Sequence, residues 1–367
     1  MGVKSICFIT NGDMKNNASP KRSLGFAKCL SFLGWDVFLI IEDTEENRHQ
    51  VELLQCSTIN TYFYNFSNVK EEIRFKNSVV SKICPNYIYV SYFRRQNKVN
   101  VPEGCKVIVE HCELYSHYHE YSFQYKCMSF IKEMASLLYA DGVVNASGFL
   151  QRVNKKRAKC ILRKNLPMLY LPYSFDSKKT LIINPEITKQ KEEEETLFVY
   201  LGAMREQYGV FTILEAARIL SEKHDFKLFF LGSGNDIERI KNRIAEYKLE
   251  KHVFLKGFVK EEDIHSYFTI ADAFISPMNN TPQDWARCPS KLYMYLPYQK
   301  PIITCKIGEP YEALKDKGYY YKTGDPKSMA DCMKKVIENK NVGMGYCANK
   351  YSWGSATDKF ISWLDTL

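Results

Sequence analysis

The sequence predicts an α/β protein of two Rossmann-like domains, each a parallel sheet with helices on both faces. Three observations lead to this fold. Short apolar runs alternate with segments of helical period, the rhythm of repeated strand–helix units. At 367 residues, 45% of them hydrophobic and 14% aromatic, the chain exceeds one ordinary core and can fill two. Around residues 177–195 the texture changes to SKKTLIINPEITKQKEEEE, with a proline, a charge run and little periodicity, which marks a linker. We expect a first domain over residues 1–180, a second over 181–348 and a final helix over 349–367.

In the first domain, residues 5–10 (SICFIT) read as a short buried strand followed by a polar loop. A helix is expected over about residues 23–33, closed by Gly34, with the next strand over 35–41. Apolar segments recur at 87–90, 107–109 and 141–144, and residues 122–139 have a helical pattern. In the second domain, residues 197–201 form a strand ending in the turn Gly202-Ala203-Met204-Arg205. The helix after it sets Val210, Ile213, Leu214, Ala217 and Leu220 on one face. Residues 226–231 form a strand that runs into Gly232-Ser233-Gly234, followed by a charged helix over about 236–247. Residues 253–255 lead to Gly257 and Phe258. Glu261, Glu262 and Asp263 then open a helix whose N-terminal dipole suits acidic side chains.

Residues 274–304 (FISPMNNTPQDWARCPSKLYMYLPYQKPIIT) read as a buried strand, a polar loop, an amphipathic helix and a second buried strand. Pro289, Ser290 and Lys291 stand at the expected helix start. Proline suits a first turn, serine can cap free N–H groups, and the N-terminus carries partial positive charge. Lysine adds a full charge to a site able to hold a phosphate. Sites in open parallel sheets form beyond the carboxyl ends of the strands. Two loops there carry a cation near a helix start, Arg205 and Lys291, against the plainer reading of each as a surface charge.

Composition narrows the function classes. No run of 18 apolar residues occurs, and MGVKSICFITNGD lacks the cleavage pattern of a signal peptide, so a cytoplasmic, soluble protein is expected. The 12 cysteines show no metal or redox spacing, and no metal or other cofactor is expected. Residues 1–180 hold 25 Lys and Arg against 16 Asp and Glu, whereas the rest of the chain is balanced. The densest basic run is residues 152–164 (RVNKKRAKCILRK). Such a one-sided field suits an anionic membrane surface, a pyrophosphate or a nucleic acid, or is a solvated face without a partner. No aromatic-and-basic motif points to nucleic acid.

The strings LGAMREQYG, FLGSGND, KGFV, ADAFISP and PSKLYMYLPYQKPII, in this order and spacing, resemble the GT-B glycosyltransferases of the family-4-like group. The match is strongest over residues 197–325, and the tail Tyr351-Ser352-Trp353 resembles that family's C-terminal helix, which crosses back to the first domain. The resemblance implies two domains facing a cleft. The second binds a nucleotide-sugar donor and the first holds a glycan or polyprenyl-linked acceptor. On this reading Arg205 and Lys291 stabilise the departing diphosphate without a metal. Gly202, Phe258, Asp284, Pro289, Ser290, Met294 and Glu309 line the donor site. Glu110 or His111, at the end of an expected strand, would be the base of an inverting reaction, with Glu113 a third choice. Lys21 and Arg22 would meet phosphate or an anionic acceptor.

The chain also departs from the family. Its two glutamates, eight positions apart, fall on Ala286 and Met294, and the arginine and lysine of its first glycine loop fall on Ala203 and Tyr208. Three readings result. The first is a glycosyltransferase of surface-polysaccharide synthesis, docked at the inner face of a membrane. The others are a sugar-nucleotide epimerase and a degenerate subunit that binds or scaffolds a partner.

Overall fold

A computed structural model describes residues 3–15, 17–54, 58–91, 93–176, 183–339 and 342–367. The first part of the expected linker, residues 177–182, lies outside the described residues. The chain divides into two compact units: Met1–Ser177 with Ala286–Cys288 and Lys350–Leu367, and Lys178–Trp285 with Pro289–Asn349.

The first unit runs β1 (Ser5–Ile9), α1 (Ala18–Phe32), β2 (Asp36–Glu42), α2 (Glu45–Glu52), β3 (Ile59–Tyr64), α3 (Val69–Ile83) and β4 (Tyr87–Val90). It continues through β5 (Lys106–His111), α4 (Phe123–Tyr139), β6 (Gly142–Asn145), α5 (Gly148–Cys160) and β7 (Met168–Tyr170). The strand order is β3-β2-β1-β4-β5-β6-β7, with parallel pairing at each step. Alternate residues of β1 enter different cores: Ile6 and Phe8 pack on one face, Cys7 and Ile9 on the other. That period of two, with both faces covered, is what makes a parallel-sheet strand read as one apolar run.

The second unit contains α6 (Pro185–Thr188), β8 (Leu197–Leu201), α7 (Val210–Ser221), β9 (Lys227–Leu231), α8 (Ile237–Glu246), β10 (Val253–Gly257) and α9 (Glu261–Ile270). Then come β11 (Ala273–Ser276), α10 (Pro282–Ala286), α11 (Ser290–Tyr295), β12 (Ile302–Cys305), α12 (Gly308–Leu314), β13 (Tyr319–Tyr321) and α13 (Pro326–Glu338). The order is β10-β9-β8-β11-β12-β13, again parallel. The last helix, α14 (Trp353–Leu364), belongs to the first unit, where Ala356, Phe360 and Leu364 join the core beneath α1.

Three differences from the sequence expectation have local causes. Helix α1 begins at Ala18 because the Asn17 side chain accepts the Ser19 N–H at 2.9 Å, and Pro20 falls in the first turn, where no N–H is needed. The expected polar loop after β11 contains a short helix, α10, and the helix expected from Pro289 is a short α11 that passes into a 3₁₀ turn at Leu296–Tyr298. Pro282 opens α10, Pro289 precedes α11 and Pro297 lies in the first turn of the 3₁₀ segment, positions where a helix can start without a backbone donor. Strands β3, β7 and β13, which the pattern did not show, are sheet edges with partly exposed residues, so their sequences need not be apolar throughout.

Candidate functional site

In each sheet the strand order reverses once, between β1 and β4 and between β8 and β11. Strand-end loops flanking such a reversal leave a crevice suited to ligands. In the second unit these loops carry Arg205, after β8, and Lys291, after β11. The Lys291 ammonium lies 4.0 Å from the Tyr200 ring centroid, and the Tyr200 hydroxyl donates to the Ala203 carbonyl at 3.0 Å. Tyrosine therefore fixes the floor of this loop and gives the lysine a π-face to rest on. A Cβ at Gly202, whose φ is +153°, would stand 2.9 Å from the Lys291 nitrogen. At Gly232, with φ of +137°, it would stand 2.1 Å from the Gly202 carbonyl oxygen. The two glycines thus let the loops after β8 and β9 touch backbone to backbone and leave room for the lysine head.

That contact is tied by hydrogen bonds. The Met204 N–H donates to the Ser233 carbonyl at 2.9 Å, and the Asp236 N–H to the Met204 carbonyl at 3.1 Å. Asp236 also accepts the Glu206 N–H at 2.8 Å. Arg205, between these anchors, is half-buried, and its Nε has no hydrogen-bond partner. Phe258, at the end of β10, is more than half exposed.

Several expected donor residues are engaged internally. Asp284 is buried, and its carboxylate accepts the Thr281 hydroxyl while its N–H donates back to that hydroxyl oxygen at 3.2 Å, a box closing the start of α10. Glu309 is buried and accepts the Tyr293 hydroxyl at 2.7 Å. Pro289 occupies the N-cap of α11 and no side chain caps that helix, so Ser290 is its first residue and not the cap the sequence suggested. Met294 is half-buried on α11, and Ala286 is fully buried.

In the first unit, Glu110 and His111 end β5 and line a small cavity with Cys112, Glu113, Lys132 and Ser136. Glu110 is buried in an ion pair with Arg22, itself 1% exposed. Burial raises the Glu110 pKa and the guanidinium opposes the rise. This corrects the reading of Arg22 as a phosphate ligand: it is turned inward, because a carboxylate on the neighbouring strand meets it. The same pair ties up the carboxylate expected to be a base. His111 Nε2 lies 2.8 Å from the Ser136 hydroxyl, which donates its own hydrogen to the Glu133 carbonyl at 2.6 Å. Nε2 must therefore carry the hydrogen. Burial, with Arg157 adding to it, lowers the His111 pKa to about 3, so the ring is neutral and a weak base. Lys21 is half-buried on α1.

Sequence reasoning missed the residues that support the site: Tyr200 under Lys291, Asp236 across from Glu206, and the Arg157–Glu133 pair at 2.8 Å behind His111. Only the spacing of Tyr200 and Gly202, two apart at a strand end, offered a signal.

Residues 184–353 match the family Glycosyl transferases group 1. Among curated protein sequences, none matches the chain. Solved structures resemble it over nearly its whole length. HepE from Anabaena, in complex with UDP and glucose, has a TM-score of 0.75 at 12% identity, covering 99% of this chain and 100% of that one. Sucrose-phosphate synthase from Thermosynechococcus elongatus has 0.75 at 14%, covering 99% and 98%. TarM from S. aureus, in complex with Fondaparinux, alpha-GlcNAc-glycerol and UDP, has 0.70 at 11%, covering 99% and 100%. At these identities the likeness is one of fold. Residues 184–353 thus match the glycosyl transferases group 1 family, in a chain whose full length takes the GT-B fold of two parallel-sheet α/β domains.

Proposed function

We propose that the protein transfers a sugar from a nucleoside-diphosphate sugar to a glycan or lipid-linked glycan acceptor in surface-polysaccharide synthesis. The observation that carries this reading is the Lys291 ammonium resting on Tyr200 beside Gly202, at the strand-order reversal of the unit that matches the family. With Arg205 it sets two cations where a diphosphate gains charge as the glycosidic carbon–oxygen bond breaks. Phe258 offers a face for the base. The internal engagement of Glu110 and His111 favours a reaction in which the acceptor hydroxyl attacks the anomeric carbon and its proton passes to the departing diphosphate, with neither residue as base. Metal independence belongs to the same reading.

The test is turnover of a panel of nucleoside-diphosphate sugars, in EDTA, by the unaltered protein and by Lys291→Ala. An unchanged rate in the variant overturns the assignment. Ala286 and Met294, in place of the family's glutamates, favour one second reading: a subunit that binds donor without turning it over. Thermal stabilisation by a nucleoside diphosphate with no turnover of any donor would select it.

A further inference from the structure

Helix α4 buries two polar side chains beside the core residue Leu137. Glu133 and Ser136, both polar, face the protein, where Glu133 pairs with Arg157 and Ser136 with His111. The opposite face carries an apolar stripe, with Gln124 and Lys132 also exposed on it. Cys127, Ile131, Met134 and Leu138 recur at the i, i+4, i+7, i+11 spacing of one helical stripe, with Met128 alongside. Phe123 is 81% exposed, Ile131 65% and Leu138 58%. The stripe continues past the helix end. Arg163 donates to the carbonyls of Leu137, Leu138 and Ala140, which sets Leu162, 93% exposed, beside the C-terminus of α4.

The neighbouring helix supplies the charge. Arg157 of α5 stands over the Phe130 ring at 5.0 Å, so α5 lies directly against α4. Helix α5 carries Arg152, Lys155, Lys156, Arg157 and Lys159 and no acidic residue. Lys155, Lys156 and Lys159 are exposed. No helix among the described residues is long and apolar enough to cross a membrane.

We infer that the exposed faces of α4 and α5 together dock on an anionic phospholipid surface, α4 lying in the plane of the interface with α5 over the headgroups. An apolar stripe beside a cationic helix is the pattern of interfacial binding, in which apolar burial and attraction to acidic lipid act together. A second copy is a poorer occupant, since a two-fold contact on this face would bring like-charged α5 helices together. The inference needs neither donor nor acceptor and stands or falls apart from glycosyl transfer.

The experiment is flotation of the full chain with phosphatidylcholine vesicles, with and without phosphatidylglycerol. Binding is expected only with the acidic lipid and should weaken with salt. Replacing Lys155, Lys156 and Lys159 by Ala should weaken it about fivefold per lysine, about a hundredfold together. The pair Ile131→Ser and Leu138→Ser should abolish flotation at unchanged thermal stability. If those variants do not fold, hydrogen exchange on the unaltered protein decides, with acidic vesicles expected to protect residues 123–138. Equal binding to neutral vesicles, variants that float like the parent, or protection of 123–138 by protein concentration alone would overturn the inference.

Discussion

The two units use their cations in opposite ways: the helices of the first carry them inward, and the segments after β8 and β11 of the second carry Arg205 and Lys291. In the first unit they are absorbed. Arg22 pairs with Glu110, Arg157 with Glu133, and Lys76, fully buried, donates to Glu72 at 2.6 Å and to Asn97 at 2.7 Å. In the second unit, Lys291 rests on an aromatic face and the Arg205 Nε lacks a hydrogen-bond partner. The difference lies in the neighbours. Where a strand or helix presents a carboxylate to it, a helix cation becomes internal structure. Beside Gly202 and Tyr200, the Lys291 charge is half-buried at the start of α11. A basic residue at a strand end is thus no ligand by position alone.

The largest effect that could break this comparison is at Arg22. Replacing it with Ala strands a buried carboxylate and should cost about 3–5 kcal/mol of stability, measured by urea unfolding. The double change with Glu110→Gln should recover part of the loss. A stable Arg22→Ala protein that no longer binds nucleotide would reverse the assignment. At Lys291 the expectation is the converse. Lys291→Ala should lower turnover by about 10²–10³-fold, the usual cost of one transition-state donor, with little change in unfolding. A collapse in stability there would make Lys291 another internal cation.

His111 offers a pH test of the first unit. Its folded pKa is depressed to about 3 from 6.5, so the stabilisation is present above 6.5 and is lost as pH falls and only the unfolded chain takes up the proton. At about 1.4 kcal/mol per pH unit, the loss from this group at pH 5 is about 2 kcal/mol. His111→Gln should flatten the stability profile over this range, and an identical slope would show that the ring is not the titrating group. The smallest effect is expected at Phe258, whose exposed ring can contribute only about 1 kcal/mol to base stacking. Phe258→Ala should weaken nucleotide affinity about fivefold in calorimetry, and no change would move the base elsewhere.

Much of the second unit was legible because its signals are local. Gly202 and Gly232 sit at the ends of apolar runs, and their turns follow from the chain itself. The start of α11 at Ser290 was equally written in Pro289, whereas α10 lay in a segment that reads as a polar loop. Glu309 and Asp284 were not legible as internal groups, since a carboxylate in a loop looks the same whether it meets a ligand or a tyrosine hydroxyl. The α4 surface was hidden for a similar reason. Its period announces a helix with an apolar stripe, and periodicity does not say that the stripe faces outward.

The sequence alone determined the alternation of strands and helices, the two domains, the glycine turns and the likeness of the second to the glycosyl transferases group 1 family, because each rests on neighbours along the chain or on ordered spacing. Tertiary structure alone decided which charges are internal. Arg22 and Glu110 are joined across β-strand and helix by folding, and in a dehydrated interior a charge is stable only beside its opposite. Lys291, half-buried at the start of α11, rests instead on the face of Tyr200.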